Sequence, residues 1–455
     1  MQTLFVKQSS SKRLIAVFLG WAMDGRPFMS LNRPGYDIVL VWDYTSAQLD
    51  VSQWLGYEEI CVIAWSMGVY FSALIPDEIE AKVTRRIAVN GTLTPMHDEI
   101  GIPEAVFMGT LQGLNPRNLE KFYFRVCGSR DLYQHFQNVA PQRDIEELRK
   151  ELAGMVKLPE VSVRFDVAVV GMKDAIFPPR NQIRAWKETP TELKDWGHYP
   201  DFQSIIDTYI IDKDRVAHHF GKSVDSYENG AVVQQDIVQK LCKQVCGFRC
   251  DHVLEVGSGT GLLSRKIKDE LHPREFEMWD ICDIKPFPEA DFKCVDAETA
   301  ITEVGFEHFD LIVSASAIQW FNSPAQFIKN SSRALKAGGH LAIGTFLRGN
   351  LKEITDLIPN SLPLMTMEQW MGAVPSEMSL EHCESWETTL LFDTPMAALK
   401  HLKETGVNSL GRQGGAVASA RGIIERYKPD EYGKWNLTYC PVILILKKNE
   451  TTTES

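Results

Sequence analysis

The chain has 455 residues, of which 44% are hydrophobic and 24% charged, and its formal net charge is -12. This length and composition admit two independently cored globular domains and exclude a disordered or low-complexity chain. The acidic balance argues against a broad nucleic-acid-binding face, and no run of 18 uncharged apolar residues offers a membrane span.

At the N-terminus, Lys7, Lys12 and Arg13 precede the apolar run LIAVFLG. A secretory signal has that outline, but no small-residue cleavage site follows, so the run is read as a short buried strand. YDIVLVWDY, EEICVIAWSMG, RRIAVNGT and VSVRFDVAVVGMKD follow as Val/Ile-rich runs separated by turn or helical segments. Such runs predict an α/β fold around a buried parallel sheet. Between residues 95 and 155 the strand signal gives way to charged helical segments, including NPRNLEKFYFRVCG and QRDIEELRKELAGM. An insert this late in a parallel sheet overlies the carboxyl ends of the strands, so it reads as a helical lid.

The polar stretch 211–215 marks a boundary between a first domain, 1–211, and a second, 212–455. The second repeats the alternation with HVLEVGSGTG, EFEMWDI, FKCVDA, FDLIVSAS, GGHLAIGTF and YCPVILILKK, again an α/β pattern. Of nine cysteines, Cys242, Cys246 and Cys250 recur every fourth position. That spacing matches no zinc motif and predicts reduced thiols along one helix face of a cytoplasmic protein.

In the first domain, Ser66 sits in Ala64-Trp65-Ser66-Met67-Gly68, directly after a strand. Small neighbours let a serine project from a tight strand-to-helix turn, as in a nucleophile elbow, although Ala64 stands where the motif has glycine. The plainer alternative is a serine at a helix N-terminus. Asp174 follows a later strand and precedes Pro178-Pro179, and His198 lies on the loop WGHYP. Serine, acid and histidine in that order are what a hydroxyl nucleophile needs: a base to take its proton and an acid to orient the base. The backbone N–H groups of Trp21 and Met67 would then face the oxyanion.

The runs FLGWAMD, AWSMGV, NGTLTPMHDEIGIP, LEKFYFRVCG, GMKDAIFPP and WGHYP resemble the BioG-type pimeloyl-acyl-carrier-protein methyl ester esterases. The resemblance covers residues 1 to about 205. It implies an α/β-hydrolase fold, Ser66, Asp174 and His198 as the triad, and a methyl ester on carrier-bound pimelate as substrate.

In the second domain, Glu255 precedes Gly257, Gly259 and Gly261, which alternate between a strand and a helix. Glycines there allow a tight turn and close backbone approach to a ligand. Asp280, about 20 residues on, is placed for ribose hydroxyls, and Asp296-Ala297 for an adenine amino group. These features resemble motif I and its companions in class I, Rossmann-like methyltransferases, and imply S-adenosylmethionine as cofactor. VAHHFGKSVDSYENGAVVQ, SASAIQWFNSPAQ and ALKAGGHLAIGTF further resemble BioC-type malonyl-acyl-carrier-protein O-methyltransferases. That family implies that Tyr227 packs on the cofactor and that Gln319 and Trp320 lie beside the methyl group; otherwise Tyr227 and Trp320 are core aromatics. Arg348 is the candidate to hold the malonyl carboxylate, or else a solvated loop charge.

The implied partner is an acyl carrier protein with malonyl or pimeloyl methyl ester cargo. The carrier is acidic, so Arg117, Lys121, Arg125 and Arg130 of the lid are candidate docking residues, or else a solvated helix face. A generic carboxylesterase fused to a small-molecule methyltransferase stays open as an alternative, as does a hydrolase-like carrier-docking scaffold.

Overall fold

The computed structural model describes residues 1–9, 11–357, 362–405 and 420–450, apart from the side chains of 223–229, 420 and 421. The chain divides into two compact units, Met1–Ile206 and Asp207–Ser455.

Among the described residues the first unit holds seven strands: β1 (Gln2–Lys7), β2 (Arg13–Phe18), β3 (Asp37–Trp42), β4 (Glu59–Trp65), β5 (Val83–Val89), β6 (Val167–Gly171) and β7 (Thr191–Lys194). They pair in the order β1-β3-β2-β4-β5-β6-β7. Only β1 is antiparallel to its neighbour; the other pairs are parallel. Strands β3, β4 and β6 are buried along their whole length, as a sheet covered on both faces requires. Each fully buried Val or Ile contributes about 1.5–3 kcal/mol relative to exposure. The two sheet edges were not anticipated. β1 is half exposed and pairs by backbone, while β7 has four residues, TELK, that carry no apolar pattern.

The connection from β5 to β6 holds four helices, Glu104–Gln112, Pro116–Cys127, Arg130–Gln137 and Ile145–Gly154. Asn115, Ser129 and Asp144 cap the last three with side-chain oxygens on backbone N–H groups. Gly128, at φ 72°, terminates the second in the left-handed region.

The second unit holds β8 (His252–Val256), β9 (Glu275–Asp280), β10 (Asp291–Cys294), β11 (Phe309–Ala315), β12 (Leu335–Phe346), β13 (Met378–Ser385), β14 (Thr388–Phe392), β15 (Trp435–Tyr439) and β16 (Pro441–Lys448). Seven of them form a sheet in the order β10-β9-β8-β11-β12-β16-β13, with β14 and β15 paired apart. β8 to β12 are parallel, and β16 runs antiparallel between β12 and β13. Strand order reverses between β8 and β11, the switch point beyond whose carboxyl ends ligands bind. This is the Rossmann-like sheet expected of the C-terminal half.

The stretch 211–215 lies a few residues beyond the division between the two units. Lys213 begins the helix Lys213–Gly230, and its ammonium is buried 2.7 Å from both Asp296 and Glu298. The cysteine reading needs correction. The helix Val232–Val245 ends before Cys246 and Cys250, so the three thiols share no helix face. Cys242 and Cys250 are buried and Cys246 is exposed.

Candidate active sites

Ser66 follows β4 with φ 60°, a left-handed conformation that serine adopts only when its surroundings hold it there. The neighbours leave no room for larger residues. A Cβ on Gly68 would lie 2.4 Å from the Phe18 carbonyl oxygen, and one on Gly91 would lie 2.2 Å from that of Ser66. The turn therefore aims the hydroxyl away from the sheet. It lies 3.0 Å from Nε2 of His198, whose Nδ1 lies 2.9 Å from Oδ2 of Asp174. A carboxylate only accepts, so the proton sits on Nδ1 and leaves the Nε2 lone pair for the serine hydroxyl.

All three side chains are buried, and the supporting bonds are numerous. Ile176 and Phe177 N–H donate to Asp174 Oδ1 at 2.7 and 2.9 Å, and Gln182 Nε2 donates to Oδ2 at 3.0 Å. Phe177 stacks on the imidazole at 9° between planes. Asn90, at φ 46° after β5, donates to the Gly197 and His198 carbonyls at 2.9 Å each and accepts from Gly171 N–H at 2.7 Å. One side chain thus ties the histidine loop to β5 and β6. Sequence reading missed Asn90 and Gln182. The pair Asn90-Gly91 signals a turn but says nothing of what the amide would reach.

Neither the Trp21 nor the Met67 backbone N–H is taken up by another described residue. The Trp21 loop is pinned by the helical insert. Trp21 Nε1 donates to the Leu148 carbonyl at 3.1 Å, the Tyr123 hydroxyl to that of Ala22 at 2.9 Å, and Arg143 Nη1 to that of Met23 at 3.2 Å. A cleft of about 460 Å³ opens over Ser66, lined by Trp21 and Met67 and, from the insert, by Val106, Phe107, Phe122, Arg125 and Leu152. Arg117, Lys121 and Arg125 share the exposed face of their helix, and Arg130 opens the next. Only Arg125 of the four reaches the cleft lining.

In the second unit a cavity of about 1090 Å³ lies over the glycine turn. Gly257, Gly259 and Gly261 all have positive φ, which glycine adopts at no steric cost. Asp280 ends β9 and fixes this turn: Oδ2 accepts from Gly259 N–H at 2.8 Å and Oδ1 from Cys282 N–H at 2.7 Å. Burial raises its carboxyl above the usual range. Glu255, Asp280, Asp296, Ala297 and Trp320 line the cavity with Gly257 and Gly259. Burial, with Asp280 nearby, pushes the Glu255 carboxyl up to about 8.

Three of the predicted residues are not part of that lining. Gly261 packs against Pro286. The Gln319 amide is spent on the Ser316 carbonyl and the Thr345 hydroxyl. Arg348 is exposed, with Nε donating to the Leu364 carbonyl at 3.2 Å. The Tyr227 side chain lies outside the described residues. Asp296 is already engaged on both oxygens: Lys213 holds Oδ2 and Glu298 N–H donates to Oδ1.

The lining suits a cofactor that is both polar and aromatic. Glu255 Oε2, Ser258 Oγ, Thr260 Oγ1, Ser316 Oγ and Trp320 Nε1 are buried without a hydrogen-bond partner among the described residues. Such atoms need a partner, which a polar ligand or ordered water in the cavity would supply. Val256, Leu263, Trp279 and Phe321 supply apolar walls. Gln234, also buried in this lining, escaped sequence reading although it lies within the quoted motif run.

The second unit is thus a Rossmann-like domain with a cofactor-sized cavity at its glycine turn, joined to a unit with a buried serine–histidine–aspartate array. The family model described as pimeloyl-ACP methyl esterase BioG matches residues 1–202, and a methyltransferase-domain model matches residues 232–391. A malonyl-[acyl-carrier protein] O-methyltransferase of Bacteroides fragilis is 33% identical over 461 aligned positions, covering 96% of this chain and 93% of that one. One from Haemophilus influenzae is 34% identical over 250 positions, covering 52% of this chain and 95% of that one. The crystal structure of BioG from Haemophilus influenzae is similar at 30% identity and a TM-score of 0.41, covering 44% of this chain and 94% of that one. The chain belongs to the malonyl-[acyl-carrier protein] O-methyltransferase family and carries a BioG domain ahead of its methyltransferase domain.

Proposed function

We propose that this chain carries two active sites of biotin biosynthesis, one installing a methyl ester on a carrier-bound acid and the other removing it. The observation that carries the reading is the co-occurrence, in one chain, of the Ser66–His198–Asp174 array and a glycine-turn cavity with orphaned polar atoms.

In the N-terminal unit, read as an α/β-hydrolase with a helical lid, Ser66 Oγ attacks the ester carbonyl of pimeloyl-carrier methyl ester while His198 Nε2 takes its proton. The Trp21 and Met67 N–H groups stabilise the oxyanion. Methanol leaves with the proton from His198. Water then attacks the acyl-serine with His198 as base, freeing the acid and restoring Ser66.

In the C-terminal unit, S-adenosylmethionine supplies an electrophilic methyl group when bound. Gly257 and Gly259 allow its close approach, Asp280 keeps their turn in place, and Glu255 offers a carboxyl to its amino group. The acceptor is the free carboxylate of malonyl-carrier protein. It is ionised at neutral pH and needs no general base, so the protein's contribution is orientation and proximity.

The chemistry of the two halves is complementary. Methylation removes a charge whose burial in an apolar elongation tunnel costs several kcal/mol, and hydrolysis restores it afterwards. The exposed basic face bearing Arg117, Lys121 and Arg125 supports an acidic carrier as partner.

The test is a paired assay on the purified chain, with malonyl-carrier protein plus S-adenosylmethionine in one arm and pimeloyl-carrier methyl ester in the other. Ser66→Ala should lose hydrolysis alone, and Asp280→Ala methylation alone. Turnover of free esters with no preference for carrier-bound ones would replace this reading with a generic esterase fused to a small-molecule methyltransferase.

A further inference from the structure

At the N-terminal ends of β8, β9 and β11 lies a side-chain cluster that neither proposed reaction uses. His252 opens β8, Glu275 and Glu277 occupy alternate positions of β9, and His308 immediately precedes β11. His252 Nε2 lies 3.2 Å from Glu277 Oε1 and 3.4 Å from Glu275 Oε2, and His308 Nε2 lies 3.7 Å from the same Glu277 oxygen. The ligand atoms of His252, Glu277 and His308 fall within 4.8 Å of one another. The two imidazoles meet edge to face with centroids 4.3 Å apart.

The second oxygen of Glu277 is already engaged. Lys293 Nζ at 2.6 Å and Trp279 Nε1 at 3.2 Å hold Oε2, which aims Oε1 at the histidines. A cleft of about 1200 Å³ is lined by His252, Glu275 and Glu277 and gives access from solvent.

We propose that His252, Glu277 and His308, with Glu275 beside them, form a binding site for a divalent transition-metal ion of the zinc class, the three convergent groups acting as its ligands. Zinc takes imidazole nitrogen at about 2.0–2.1 Å and carboxylate oxygen at about 2.0–2.2 Å, in a tetrahedron. The ligand-to-ligand edge of such a tetrahedron is about 3.3–3.5 Å, and the two separations from Glu277 Oε1 to the histidines, 3.2 and 3.7 Å, lie close to it. Lys293 and Trp279 then serve as the outer shell that orients the ligating carboxylate. Two carboxylates and one ammonium leave the cluster at one net negative charge when both imidazoles are neutral, which favours a cation. Hydrogen bonding alone is the competing account. It needs a proton on each Nε2, whereas a metal ion needs both lone pairs. An ion here would pin the starts of three strands, the first of which lies five residues, or about 16 Å, from the glycine turn. Its role is therefore structural, and methyl transfer does not pass through it.

The test uses the full chain, purified without a polyhistidine tag and equilibrated with zinc chloride, followed by elemental analysis. One zinc per chain is expected, together with a rise in the melting temperature of the second unit. Cobalt(II) should give the intense visible bands of tetrahedral coordination. The His308 side chain is 47% exposed, so His308→Ala does not threaten folding. That variant should lose at least about tenfold in zinc affinity. His308→Cys, which offers a thiolate, should restore it. Absence of zinc uptake by the wild type at micromolar metal overturns the site, as does equal uptake by His308→Ala.

Discussion

The Ser66 hydroxyl and His198 Nε2 lie 3.0 Å apart although 132 residues separate them. Asp174 completes the array by accepting from Nδ1, which selects the tautomer that leaves Nε2 basic. Asp174→Asn would keep the shape and lose the tautomer. Its kcat for the carrier-bound ester should fall about 10⁴-fold while the chain remains folded. Circular dichroism alongside a single-turnover assay would check this; an activity within tenfold of wild type would remove Asp174 from the mechanism.

Asn90 makes three hydrogen bonds and sits in the left-handed region, so Asn90→Ala incurs two costs. The His198 carbonyl keeps Trp65 Nε1 as a second donor at 2.8 Å, so the larger loss falls on the buried Gly171 N–H. An unsatisfied buried group costs about 1–3 kcal/mol, and a left-handed alanine about 1–2 kcal/mol more. A destabilisation of about 3 kcal/mol is expected in urea unfolding of the first unit, with a drop in kcat as the histidine loop loosens.

Glu255 gives the second unit a pH dependence with a definite sign. Its carboxyl holds a proton to about pH 8 when folded, against an ordinary value of 4.5. Between those values the folded state binds more protons than the unfolded one, so stability falls as pH rises through that window. Glu255→Gln, neutral throughout, should flatten the slope of melting temperature against pH between 5 and 8. A bound ammonium beside Glu255 favours its ionised form. Affinity for S-adenosylmethionine should therefore rise towards pH 8 in the wild type and stay level in the variant.

The basic helix face separates docking from chemistry. Arg117 and Lys121 are exposed and do not line the cleft over Ser66, whereas Arg125 does. Reversing Arg117 and Lys121 to glutamate should raise KM for the carrier-bound ester about tenfold and weaken its salt dependence. A small soluble ester should be hydrolysed unchanged. Equal loss on both substrates would show a folding effect rather than lost docking.

Much of the first sheet was legible because its inner strands are short apolar runs and their turns carry glycine, features of a few adjacent residues. The edge strands β1, β7 and β13 were not, since an edge needs only backbone partners and its side chains carry no pattern. Ser66, Asp174 and His198 could be proposed from order and flanking turns, and so could Glu255 and Asp280. Arg348 and Gln319 looked equally suitable, and folding turned the first towards Leu364 and the second onto Ser316 and Thr345.

By itself, the sequence determined two α/β halves, a serine at a tight turn and a glycine loop after an acidic strand. These depend on local spacing and backbone conformation. The tertiary structure alone decided that Asn90 clamps the histidine loop and that Lys213 is buried against Asp296 and Glu298. It also brought His252, Glu277 and His308 together at one sheet end. Those contacts join residues far apart in the chain, and which polar groups meet there is set by sheet order and register, which no local pattern encodes.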